Sequence, residues 1–118
     1  MAPLVCIVTL NWRGADDTLG CVESLRLLTY PNFRVLAVDN GSGDDSVARI
    51  GEVCPDIDLV ETGANLGFAG GCNVGIRHAF ALGADYVWPL NSDTRVDPRA
   101  LPAMLDPAQP DAGAGRAG

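Results

Sequence analysis

The residues best suited to chemistry lie in Tyr86-Val-Trp-Pro-Leu-Asn-Ser-Asp-Thr94, where a hydrophobic strand runs straight into Asn91, Ser92 and Asp93. A strand that ends in a carboxylate at the rim of a sheet suits metal–diphosphate chemistry. Mg2+ and Mn2+ take oxygen ligands and keep open positions for phosphate oxygens. The same residue types also make an ordinary Asx-rich turn ahead of a helix cap. Two more polar strand ends favour the chemical reading. Asn11-Trp12 follows the apolar run Leu4 to Leu10, and Asp39-Asn40-Gly41-Ser42 closes the run that starts at Phe33.

Elements of recognisable period must hold these ends. Leu4 to Leu10 is a continuous apolar run, the signature of a strand buried on both faces. Asp16 and Asp17 open a helix at its positive dipole end, and Leu19, Val22, Leu25 and Leu28 form its stripe. Phe33 to Asp39 is the second strand. A turn at Asn40-Gly-Ser-Gly43 then leads into a helix from about Asp44 to Val53, with Val47, Ile50 and Val53 inward. Ile57 to Glu61 is a short third strand. The glycine-rich loop Gly63-Ala-Asn-Leu-Gly67 enters a helix whose stripe is Cys72, Ile76, Ala79 and Phe80, and Gly83 ends it. Tyr86 to Leu90 is the fourth strand, and Pro98 to Leu105 reads as a helical turn opened by proline.

The order βαβαβαβα predicts a parallel, Rossmann-like α/β sheet with right-handed crossovers and helices on both faces. Ligands of such sheets bind outside the carboxyl ends of the strands. Residues 1–105 are expected to form one such unit, with its ligand site at that edge. From Asp106 to Gly118, Pro, Gly and Ala without periodicity predict a disordered tail, so the chain reads as a domain cut short.

Composition removes several function classes. The net charge is −7 and all eight basic residues are Arg, which argues against nucleic-acid binding. Without Lys there is no Walker A phosphate loop. An acidic chain can still bind a nucleotide diphosphate when a cation sits between them. Cys6, Cys21, Cys54 and Cys72 lie far apart with no C-x-x-C pair, and are expected to be reduced packing residues instead of zinc ligands. There is no signal-peptide pattern and no run of about 20 apolar residues, so the expected location is the cytoplasm, the inner face of the membrane included. His78, the sole histidine, reads as a surface or packing residue, and Asp44-Asp45 as helix-start acids.

Four segments, in order and spacing, carry a resemblance. They are Val5-Cys-Ile-Val-Thr-Leu-Asn-Trp-Arg-Gly14, Thr29-Tyr-Pro-Asn-Phe-Arg-Val-Leu-Ala-Val-Asp-Asn-Gly-Ser42, Asn65-Leu-Gly-Phe-Ala-Gly-Gly-Cys-Asn-Val-Gly-Ile76 and Leu90-Asn-Ser-Asp-Thr94. Together they resemble family 2 glycosyltransferases of the GT-A fold, most of all bacterial rhamnosyltransferase-like members, over residues 4–105. The resemblance implies inverting transfer of a sugar from a UDP- or dTDP-activated donor to a polysaccharide or glycolipid acceptor. It implies a nucleotide-sugar site of Asn11, Trp12, Asp39, Asn40, Asn65, Gly67, Phe68, Asn73, Asn91, Ser92 and Asp93. Trp12 corresponds to the aromatic beside the base, where an indole face can stack on a pyrimidine. Asp39 matches the carboxylate that accepts the pyrimidine ring N–H. The pairs Asn65/Gly67 and Asn73/Gly75 bring backbone and a helix N-terminus toward the ligand. Asn91-Ser92-Asp93 occupies the place of the D-x-D motif, so Asp93 would be the ligand of Mg2+ or Mn2+.

The match has departures. Asn91 replaces the first acid of the motif and brings no charge, and Cys72 stands where many members carry Arg. The general base of inverting members lies well beyond the D-x-D region, so no residue of this chain is nominated as catalytic. The alternative reading is an inactive donor half with nucleotide binding at most. A dinucleotide-binding oxidoreductase is a weaker rival: Gly41-Ser-Gly-Asp-Asp-Ser46 follows the second strand and falls one residue short of the fingerprint. A phospho-receiver domain fails for want of a lysine.

Overall fold

The computed structural model describes residues 2–100. The elements run β1 (Val5–Asn11), α1 (Ala15–Leu25), β2 (Phe33–Asp39), α2 (Ser46–Val53), β3 (Asp58–Glu61), α3 (Gly67–Ala81) and β4 (Tyr86–Asn91). All strands are parallel, in the order β3-β2-β1-β4. The α/β architecture read from the sequence is therefore present. The expected helix over 98–105 falls largely, and the expected tail from 106 wholly, outside the described residues.

Strand alternation sorts the core into two layers. Val5 and Ile7 of β1 pack with Cys21, Val22 and Leu25 of α1, while Ala37 and Ile50 join Ala15 where α2 meets α1. On the other face, Cys6, Val8, Leu36 and Val38 meet Ala79 and Ile76 of α3. Helices α1 and α2 thus cover one face and α3 the other. All four cysteines are free and buried, as expected for packing residues. Burial raises the thiol pKa of Cys6 to about 11, so it stays protonated.

Two helix faces differ from the expected stripes. On α3 the buried residues are Gly71, Cys72, Gly75 and Ala79, and Phe80 is exposed. The helix lies flush on the sheet. A Cβ on Gly75 would sit 2.5 Å from Val8 Cγ1, and one on Gly71 2.5 Å from Leu10 Cδ1. Phe80, about 100° round the helix from Ala79, has no room beneath so close a backbone. On α2, Val53 is exposed as well. The helix stops there, and Cys54 turns into the core in its place while its N–H still reaches Ile50 O at 2.8 Å. Helix α1 ends at Leu25, with Arg26 as its C-cap, although Leu28 beyond it remains buried.

Candidate nucleotide-sugar site

Because the strands are parallel, their carboxyl ends share one edge of the sheet. The register sets Asn11 opposite Asp39, Asp39 opposite Glu61, and Asn91 opposite Leu10. Asn11, Asp39 and Asn91 therefore lie on this edge, and Ser92 and Asp93 follow directly from β4.

A buried network ties the first two strand ends together. Asn11 and Asp39 are 0% and 4% exposed. Thr18 of α1 donates to Asn11 Oδ1 at 2.6 Å, which fixes the amide so that Nδ2 donates to Asp39 Oδ1 at 2.9 Å. Ser42 Oγ donates to the same carboxylate oxygen at 2.6 Å, and the Ser42 N–H donates to Oδ2 at 3.1 Å. A carboxylate has about four acceptor sites. Three are used, and the free capacity is on Oδ2. Asn11 itself is fully committed inside the protein, because its Nδ2 also reaches Ser42 Oγ at 3.3 Å.

Trp12 projects from this edge, 47% exposed. The Arg13 guanidinium lies over its ring, with Cζ 4.8 Å from the centroid. Arg13 adopts φ 52°, uncommon for a residue with a side chain. Its N–H donates to Ser42 Oγ at 2.8 Å and its Nε to Ser42 O at 2.9 Å. Ser42 thus anchors both the Asp39 carboxylate and the Arg13–Trp12 pair. Beside Arg13 a polar cleft of about 360 Å³ opens between the first turns of α1 and α2, where Arg49 pairs with Asp16.

Asn40, 2% exposed, organises the glycine-rich loop. Its Nδ2 donates to Gly67 O at 3.0 Å and Asn65 Oδ1 at 3.3 Å, while its Oδ1 accepts from Leu66 N–H at 3.1 Å and Thr62 Oγ1 at 3.3 Å. Asn65 Oδ1 also accepts from the Gly67 N–H at 2.9 Å. Gly41 makes the approach possible: its φ is +75°, and a Cβ there would lie 2.5 Å from the Ala64 carbonyl carbon. The loop delivers α3 with the Leu66 and Gly67 N–H groups held by the Asn40 and Asn65 side chains, with Phe68 exposed in its first turn and Asn73 exposed nearly two turns on. Buried Cys72 is held protonated by desolvation.

Asn91 and Asp93 are exposed on a turn closed by Thr94 N–H donating to Asn91 O at 3.0 Å. Among the described residues no three His, Cys, Asp or Glu side chains gather as a metal cage. The donor set fits a different kind of ion. Mg2+ is commonly held by one or two carboxylates with substrate phosphates completing its shell, and Asp93 offers one carboxylate of that kind.

The sequence reading did not nominate Thr18, Ser42, Arg13 or Thr62. Ser42 carried a signal, as the last residue of the Asp-Asn-Gly-Ser strand end. Thr18, a hydroxyl inside an otherwise apolar helix face, carried a fainter one.

Fold and edge define an open, parallel α/β sheet with a ligand site at its carboxyl strand ends. A mannosyltransferase, PcManGT from Pyrobaculum calidifontis, solved with GDP-Man and Mn2+, superposes with a TM-score of 0.74 at 25% identity, over 93% of this chain and 34% of that one. The family model for glycosyl transferase family 2 matches residues 4–114, and the chain belongs to that family. The galactofuranosyltransferase GlfT1 of Mycobacterium tuberculosis is 34% identical over 109 residues, covering 89% of this chain and 36% of its own length. The N-acetylglucosaminyl-diphospho-decaprenol L-rhamnosyltransferase of the same organism is 34% identical over 124 residues, covering 97% and 40%. The chain therefore spans little more than a third of these relatives. Among its described residues no helix is long and apolar enough to cross a membrane.

Proposed function

We propose that the chain is the donor-binding part of a glycosyltransferase that moves a sugar from a UDP- or dTDP-sugar to a polysaccharide or glycolipid acceptor, with inversion. The observation that carries this is the Asn11–Asp39–Ser42 network at the shared strand edge. It holds a buried carboxylate with one oxygen saturated and the other open to a ring N–H. Uracil and thymine offer such an N–H, whereas the same nitrogen of cytosine is bare. Trp12, backed by Arg13 on one face, presents the other face for stacking. Asn65, Gly67 and Phe68 lie at the start of α3 and Asn73 nearly two turns on; the Gly67 N–H is taken by Asn65 Oδ1, and the positive end of the helix dipole beyond it suits diphosphate.

Asp93, with Asn91 and Ser92 beside it, would hold Mg2+ or Mn2+ against the diphosphate. When bound there, the ion would supply a counter-charge for the departing nucleotide. In the transfer itself, an acceptor oxygen bonds to the anomeric carbon as the bond to the diphosphate oxygen breaks. This chain's residues orient the nucleotide and disperse that negative charge. Deprotonation of the acceptor falls to a base that we assign to no residue here. The place of work of such an enzyme would be the cytoplasm or the inner membrane face.

A second reading has a specific observation behind it. Guanine also carries a ring N–H, and PcManGT was solved with GDP-Man. Calorimetric titration with UDP, dTDP, GDP and CDP separates the cases. UDP and dTDP should bind roughly ten- to hundred-fold more tightly than CDP, since a hydrogen bond to a charged group is worth about 1.5–3 kcal/mol. Asp39→Asn should erase that preference. Tightest binding by GDP would move the donor to the purine class. Equal affinity for UDP and CDP would remove Asp39 from base reading.

A further inference from the structure

Gly20 sits in the middle of α1, where glycine is a poor helix former and alanine would serve better. The reason lies across the surface. An ideal Cβ on Gly20 would fall 2.2 Å from Arg95 Nη2 and 2.7 Å from Cζ, so the guanidinium occupies the space that a side chain would fill. Arg95 Nη1 points to three carbonyls, Thr94 O at 3.1 Å, Asp17 O at 3.4 Å and Ser92 O at 3.5 Å. One belongs to the first turn of α1 and two to the turn that carries Asp93. The segment after it continues along the same helix and past its end at Leu25. Val96 N–H donates to Ser24 Oγ at 3.1 Å, Ser24 is in turn bonded to Cys21 O at 2.7 Å, and Thr29 N–H donates to Pro98 O at 2.8 Å.

We propose that Gly20 and Arg95 form a docking contact that positions the Asp93 turn, making Arg95 a positioning residue for the metal–diphosphate corner. The proposal rests on the donor-site reading for its purpose, and on geometry alone for the contact. An exposed turn of Asn, Ser, Asp and Thr has many conformations of similar energy. A planar guanidinium laid on bare helix backbone, sharing donors between helix and turn, selects one of them. The neighbouring Val96 then joins the core cluster under α1. Because the atoms that clash are the far end of a flexible side chain, Gly20→Ala should evict the guanidinium without disturbing the helix.

The test compares the 118-residue chain with Gly20→Ala, Arg95→Ala and the double variant. Amide exchange is read at Thr94 and Val96, whose N–H groups are bonded to Asn91 O and Ser24 Oγ. Titration of UDP is read with and without Mn2+. Each single variant should speed exchange at both amides about tenfold and lower UDP affinity in Mn2+ about tenfold, the effect of one lost charge-assisted contact. Affinity without Mn2+ should hold, and Gly20→Ala should not lower the melting temperature. In the double variant the second change should add nothing to either readout. Unchanged exchange in both singles, or effects that multiply in the double, would overturn the contact. Faster exchange in a chain whose UDP affinity ignores Mn2+ would leave the contact standing and remove the donor reading.

Discussion

Replacing Gly41 by alanine tests the joint between the β2 end and the glycine-rich loop, and Gly63 supplies an internal control. Both glycines have positive φ, +75° and +82°. A side chain in that region costs about 1–2 kcal/mol at either site. Their surroundings differ. At Gly63 a new Cβ meets nothing within 4 Å, whereas at Gly41 it would stand 2.5 Å from Ala64 C and 2.7 Å from Ala64 Cα and Asn65 N. Unstrained carbon contacts lie at about 3.5–4.0 Å, so the loop backbone must retreat by roughly 1 Å. Asn40 holds that loop by four hydrogen bonds and resists the shift. Overpacking of this kind adds about 1–3 kcal/mol. Gly41→Ala should therefore cost about 2–5 kcal/mol and Gly63→Ala about 1–2 kcal/mol. With a urea slope of about 1–1.5 kcal/mol per M, the unfolding midpoint should fall by roughly 0.7–2 M for Gly63→Ala and roughly 1.3–5 M for Gly41→Ala. Equal shifts in equilibrium urea unfolding would refute the loop-to-loop contact and, with it, the assigned path of the glycine-rich segment.

Other consequences are directly measurable. The four cysteines should resist thiol reagents in the native chain and react together on unfolding, with the slightly more accessible Cys72 leading. Rapid native labelling of Cys6, buried and protonated to about pH 11, would contradict the sheet packing. The Arg26 hydrogen bond is the main reason Asp56 titrates at about 2, below its ordinary value of 3.8. A depressed carboxylate contributes stability above its unfolded pKa and loses it as pH falls through the folded one. Wild type and Arg26→Met should accordingly differ in thermal stability at pH 5 and converge near pH 2, and a constant difference across that range would oppose the pairing. Gly75→Ala should cost about 1–3 kcal/mol, because its Cβ would fall 2.5 Å from Val8 Cγ1 and 2.9 Å from Val38 Cγ2. A neutral result in urea unfolding would mean that α3 does not lie flush on the sheet.

The strands were legible because burial on both faces leaves a plain mark. Val5 to Val8 and Leu36 to Val38 are apolar without alternation, and all are buried. The strand-end rule then located the edge with no further information. Helix faces were harder. Apolar bulk pointed to Phe80 and Val53, but α3 meets the sheet through Gly71 and Gly75, whose contribution is the absence of a side chain. Hydrophobic periodicity does not register that. The site divided in the same way. Asp39 and Asp93 could be found as carboxylates after strands, whereas the committed state of Asn11 and Asn40 depends on Thr18, Ser42, Thr62 and the loop carbonyls, which the chain brings together only on folding. Gly20 gave a hint as a glycine inside a helix, but its partner Arg95 lies 75 residues away.

The central claim is that the carboxyl edge of the sheet binds a nucleotide diphosphate through a cation held at Asp93. Calorimetric titration of UDP into the chain, with Mn2+ present and absent, tests it in wild type and Asp93→Ala. The expected result is binding that strengthens at least tenfold with Mn2+ in wild type, and an Mn2+ effect that disappears in Asp93→Ala while the weak metal-free affinity persists. UDP affinity that is indifferent to Mn2+, or an Mn2+ effect that survives in Asp93→Ala, would contradict the account.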